Sequence, residues 1–180
     1  MAFAYYNRLT RAQKRTYEKS DEVTAIPLSQ PASLYPLIDA LAEALKREDR
    51  RKTQAVSQSL VSGLTARLKV PPLEVKVLAA RPSRTWGELH GLYTPDEDGM
   101  PAQVTVWMRT AQRRRVVAFR TFLRTLLHEV CHHLDYELLK LDETFHTEGF
   151  YKRESSLFHQ LVSNRSQHAP TATQRATKSP

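Results

Sequence analysis

One stretch limits the folds open to this 180-residue chain more than any other. Between residues 111 and 139 the apolar positions Val116, Phe119, Leu123, Leu126, Leu127, Val130 and Leu134 recur at steps of three and four, the pattern of a long helix with one buried face. On that helix stands His128-Glu129-Val130-Cys131-His132. At ~100° per residue the two histidines fall ~40° apart and one turn along, so both imidazoles reach one point, while Glu129 projects ~60° from His132. Two neutral imidazoles suit Zn²⁺ and leave positions for water, and the adjoining Glu129 carboxylate can activate a zinc-bound water by accepting its proton during attack on a carbonyl. With the His and Glu content of this chain, the pattern arises by chance with a frequency of roughly 0.02.

The flanking sequence supplies the rest of an α+β domain. After Pro27, Pro31 and Pro36, the positions Leu37, Ile38, Leu41 and Leu45, then Val56, Leu60, Leu64 and Leu68, predict two helices, with the charged stretch 46–52 as a solvated turn. Past Pro71 and Pro72 the period drops to two, and Leu73, Val75 and Val77 alternate with Glu74 and Lys76 as in a half-buried strand. A second strand is predicted over 86–93 and a third over 102–109, joined as a hairpin through the turn-rich TPDEDG. Phe150, Leu157, Phe158, Leu161 and Val162 form the stripe of a last helix, with Thr147 and Gly149 near its start. The expected organisation is a basic N-terminal helix or arm over 1–30, one domain over 31–165, and a polar disordered tail over 166–180.

Composition sets the class. Apolar residues make up 41% and charged residues 26%, enough burial for a globular domain. The lone Cys131 excludes an internal disulfide and a Cys-rich zinc ribbon. No run of ~18 apolar residues and no secretory signal is present, so a cytoplasmic protein without membrane contact is expected. The formal net charge is +8, and between positions 98 and 129 there are arginines but no acids. Arg113, Arg114 and Arg115 are predicted in the first turns of the long helix, where each cation opposes the dipole by roughly 0.3–1 kcal/mol. DNA is a candidate partner for these three, against the simpler reading of a solvated basic surface.

A catalytic zinc takes a third protein ligand, and the downstream candidates are Asp142, Glu143, His146, Glu148 and Glu154. His146 matches the two imidazoles already present and falls where the chain re-enters a helix. Asp135, one turn beyond His132, is better placed for a hydrogen bond behind a ligand. Tyr151 and Arg153 are candidate donors to an oxyanion, with packing as the alternative. His133 is expected to be solvated or capping, and Cys131, ~100° from His132, to lie in the core.

The segment HEVCHHLDYELLKLDETFHTEGF resembles the metal-binding segment of SprT-like metallopeptidases, in which HExxH is followed by a pattern such as GHGxxF. His146 and Phe150 match the His and Phe of that pattern, while Phe145 and Thr147 replace its glycines. Trp86-Gly87, the 102–109 strand and the long helix are similar to the family's order of elements. The resemblance implies a zincin-like domain, with a small three-stranded twisted sheet packed on the HExxH helix and flanking helices. It further implies His128, His132 and His146 as ligands of one zinc ion, Glu129 as general base, and the 102–109 strand as the edge that pairs with extended substrate. Eukaryotic relatives cut proteins crosslinked to DNA.

The function these readings predict is a zinc-dependent endopeptidase acting on protein or peptide substrates, including nucleic-acid-associated ones. Two alternatives stand beside it: a DNA- or protein-binding module with structural or vestigial zinc, and a gluzincin-type peptidase with Glu154 as third ligand that cleaves a regulator.

Overall fold

The change of period near Pro71 marks the passage from helices to sheet. The computed structural model describes residues 3–84, 87–97 and 99–162, with backbone alone at 83–84 and 87–88. Its elements in chain order are α1 (Arg11–Glu22), α2 (Tyr35–Lys46), α3 (Arg50–Leu68), β1 (Glu74–Ala80), β2 (Ser83–Arg84), β3 (Gly87–Glu88), β4 (Gly91–Thr94), β5 (Gln103–Arg109), α4 (Phe119–Glu137) and α5 (Glu148–Val162). The class is α+β. Trp86 and the 166–180 tail lie outside the described residues.

Local chemistry sets the helix ends. Thr10 and Gln13 form a capping box at α1, the Thr10 hydroxyl accepting from Gln13 N–H at 3.2 Å and the Gln13 amide accepting from Thr10 N–H at 3.0 Å. Asp49 caps α3 through Lys52 N–H at 2.9 Å, and the Thr147 hydroxyl accepts from Phe150 N–H at 2.9 Å in the first turn of α5.

The sheet is mixed and runs β1-β5-β4. β5 pairs in parallel with β1 (Val75 opposite Val104, Val77 opposite Val106) and antiparallel with β4 (Tyr93 opposite Val104, Gly91 opposite Val106). Val75, Val77, Val104 and Val106 share one core with Leu60 and Leu64 of α3 and Leu123, Leu126, Leu127 and Val130 of α4. A hairpin is present, but its first strand is Gly91–Thr94 and not the predicted 86–93, since Gly87–Glu88 pairs with Ser83–Arg84 in a separate sheet, and its 102–109 strand is central, so it offers no free edge. The outer edge of β1 is also closed: Gln54 and Gln58, one turn apart on α3, bond its backbone, accepting from Val77 N–H at 2.6 Å and Val75 N–H at 2.8 Å and donating to Val75 and Leu73 carbonyls. Among the described residues, β4 is therefore the outer strand of this sheet with no strand beside it.

Two further expectations change. The long helix begins at Phe119, not near 111, because Thr110 N–H bonds Arg115 O at 2.9 Å and Val117 N–H bonds Met108 O at 2.8 Å, folding 110–117 back onto β5. Arg113, Arg114 and Arg115 sit in that exposed turn, with Arg114 at φ 51°, before α4 and not in its first turns. Within 1–30, α1 is packed into the domain. Tyr17 and Ser20 are buried, and α1 meets α5 at Gly149, where a Cβ would stand 2.3 Å from the Asp21 carbonyl oxygen. No helix among the described residues is long and apolar enough to cross a membrane.

Candidate metal centre and active site

α4 presents His128 and His132 one turn apart, as their spacing dictates. After α4 ends, the irregular segment 138–147 doubles back and carries His146 to the same point. His146 Nε2 lies 3.0 Å from His128 Nε2 and 3.1 Å from His132 Nε2. These three side chains are close enough to share one metal ion, and no carboxylate or further histidine belongs to the group among the described residues.

On its far side each α4 imidazole has a polar partner. His128 Nδ1 faces Glu154 Oε2 at 3.2 Å, and a carboxylate accepts only, so Nδ1–H donates and the Nε2 lone pair points inward. Glu154, the alternative ligand, thus stands behind His128, with its other oxygen on Arg124 Nη1 at 3.2 Å. His132 Nδ1 meets Thr144 Oγ1 at 2.8 Å. Burial, with the neighbouring His128 and His146, lowers the His132 pKa to about 3, and burial also lowers that of His146. His146 Nε2 faces the Nε2 atoms of both α4 histidines at about 3 Å, a cluster of nitrogens able to share a cation.

Glu129 lies in the same cleft, 6% exposed. Burial lifts its carboxyl to about 7, against the opposing pull of His128 and the Tyr93 N–H that donates to it from β4. Gly91 makes the approach possible, since a Cβ there would stand 2.3 Å from Glu129 Oε1. The cleft, about 690 Å³, runs from β4 past the imidazoles to Arg124, with Tyr151 on its wall stacked on His146 at 5.9 Å between ring centroids.

Other candidates fall elsewhere. Arg153, a possible oxyanion donor by sequence, is fully buried and ion-paired with Asp135 at 2.7 Å, away from the cleft. His133 is 1% exposed rather than solvated. Its Nε2–H donates to the Pro71 carbonyl at 3.0 Å, which leaves Nδ1 to accept from Tyr93 Oη at 3.2 Å. Cys131 is buried as its helix angle predicts. Asp142, Glu143 and Glu148 lie outside the three-histidine group, and Gln13 donates to both oxygens of Glu143. Gly91, Tyr93 and Thr144 were not singled out by sequence, although a glycine within a strand pattern signals close approach by another group. Comparison with family models, curated proteins and solved structures finds no match to this chain, so the functional reading rests on its own residues.

Proposed function

We propose that this chain is a zinc-dependent endopeptidase acting on protein substrates. The observation that carries the reading is the convergence of three imidazole Nε2 atoms in one cleft with a buried carboxylate, Glu129. The donor set fits zinc: two nitrogens ~2.0–2.1 Å from one ion at a tetrahedral angle lie ~3.3 Å apart, within a few tenths of the two spacings from His146, and all three ligand atoms lie within 4.8 Å of one another. Three protein ligands also suit a catalytic rather than a structural zinc, which takes four. Bound zinc would polarise the scissile carbonyl and lower the pKa of water.

The protein's own groups do the rest. Glu129, buried in the cleft beside the histidines, takes the proton of the attacking water and returns it to the leaving amine. Tyr151, whose ring stacks on His146 at the cleft wall, would serve as the donor to the oxyanion. The outer side of β4, where the Tyr93 N–H is held by Glu129 and the neighbouring main chain is left, favours a peptide substrate, because main-chain pairing holds an extended chain without demanding one sequence. The exposed turn with Arg113, Arg114 and Arg115 supports a separate polyanion contact, such as DNA, that would direct cutting to nucleic-acid-associated proteins.

Metal analysis of the purified parent and Glu129→Gln, with turnover of an unfolded protein substrate, tests the reading. One zinc per chain in both, with hydrolysis only in the parent, is expected. A parent that takes up no zinc, or a glutamine variant cutting at the parental rate, overturns it.

A further inference from the structure

Resting on the metal reading above, we infer that Thr144 and Asp135 are positioning residues that hold His132 in the one tautomer able to ligate through Nε2. The Thr144 hydroxyl touches two groups at once, His132 Nδ1 at 2.8 Å and Asp135 Oδ2 at 2.8 Å. A hydroxyl has one proton to give. Asp135 is fully buried, which raises its pKa, and the Arg153 guanidinium opposes that rise by donating from Nη2 to the other oxygen at 2.7 Å, so that toward Thr144 the Asp135 oxygen is the acceptor. The Thr144 proton therefore goes to Asp135, and toward His132 the hydroxyl can only accept. His132 must then carry its proton on Nδ1, leaving the lone pair on Nε2, the atom facing His146.

The chain of contacts has a fixed far end. Arg153 donates to the Ser20 carbonyl, to Val23 O at 2.6 Å and to Ser20 Oγ at 3.0 Å, which ties the orientation of His132 to the C-terminal end of α1. Asp135 lies one turn beyond His132 on α4, and Thr144 is inserted between them from the following segment. His146 is two residues further on, so the same hydroxyl that orients the second ligand also pins the stretch delivering the third. His128 has a direct carboxylate partner in Glu154; at His132 the hydroxyl stands between imidazole and carboxylate. Partners of this kind are worth 10- to 100-fold in metal affinity.

The test compares Thr144→Val and Thr144→Ser with the parent in zinc competition against a chromophoric chelator. Urea unfolding of each metal-free protein separates affinity from loss of fold. Valine keeps the shape and removes the hydroxyl; serine keeps the hydroxyl and removes the methyl group. The expected result is a 10- to 100-fold weaker zinc affinity for valine and near-parental affinity for serine. A part limited to packing reverses that order and overturns the proposal, as does a valine variant with parental affinity. A second readout needs no metal: long-range ¹⁵N–¹H correlation spectra of the metal-free parent should show His132 protonated at Nδ1, and the valine variant a tautomer mixture. A parent that binds no zinc but shows the Nδ1–H form would defeat the peptidase reading while supporting the tautomer assignment. A parent with His132 protonated at Nε2 would defeat the assignment itself.

Discussion

Replacing Gly91 by alanine separates the chemistry of Glu129 from the integrity of the fold. The new Cβ would stand 2.3 Å from Glu129 Oε1, 2.7 Å from Cγ and 2.8 Å from Cδ, where ordinary contact begins near 3.4 Å. The carboxylate must therefore retreat by about 1 Å, since β4 is held by its pairing with β5 and the side chain is the softer partner. The backbone itself accepts alanine, because Gly91 is not among the positive-φ residues. Moving one side chain off its rotamer costs about 0.5–1.5 kcal/mol, and the glycine-to-alanine entropy gain of about 0.4–1 kcal/mol offsets much of it. Stability should thus change by less than about 1 kcal/mol. A misplacement of about 1 Å at a reacting group costs on the order of 100-fold in rate, equivalent to about 2.7 kcal/mol of barrier. Turnover of an unfolded protein substrate, zinc content and urea unfolding, measured on one preparation, give the three numbers. Full zinc, an unchanged unfolding midpoint and a rate about 100-fold lower are expected. Turnover within threefold of the parent would refute the placement of the carboxylate against β4 as the working geometry.

Arg153→Ala should destabilise the domain by about 3–5 kcal/mol in urea unfolding, because it leaves the fully buried Asp135 carboxylate without its cation. A loss below about 1 kcal/mol would mean that the pair is not buried in solution as drawn. Zinc that binds only the folded chain adds about 2.7 kcal/mol at a free concentration 100 times its Kd, and at about 2–4 °C per kcal/mol for a chain of this size a chelator should lower the melting temperature by about 5–10 °C. An identical melting temperature with saturating zinc and with chelator would count against a specific site.

Much of the site was legible because its geometry is local. Helical periodicity alone puts His128, Glu129 and His132 on adjoining positions of one face and sends Cys131 inward, and the stripe from Phe119 to Leu134 needs no partner to be recognised. The same rule overran at the start of α4. Val116 continues the three-residue step, yet residues 110–117 bond back to β5, and no spacing rule registers a competing strand end. Alternation in 102–109 marked a strand equally well as edge or centre. Its central place came from parallel pairing with β1, almost thirty residues earlier.

What the sequence determined by itself is the pair of imidazoles and the carboxylate beside them, since 3.6 residues per turn fixes their directions whatever else the chain does. The tertiary structure decided the rest: that His146 closes the trio, that Glu154 and Thr144 stand behind the imidazoles, that Arg153 points into the core, and that β4 is an outer strand beside Glu129. Each of these depends on groups far apart in the chain meeting across packed elements. Such meetings are set by which faces bury together and which buried polar atoms find partners, quantities that a local pattern does not contain.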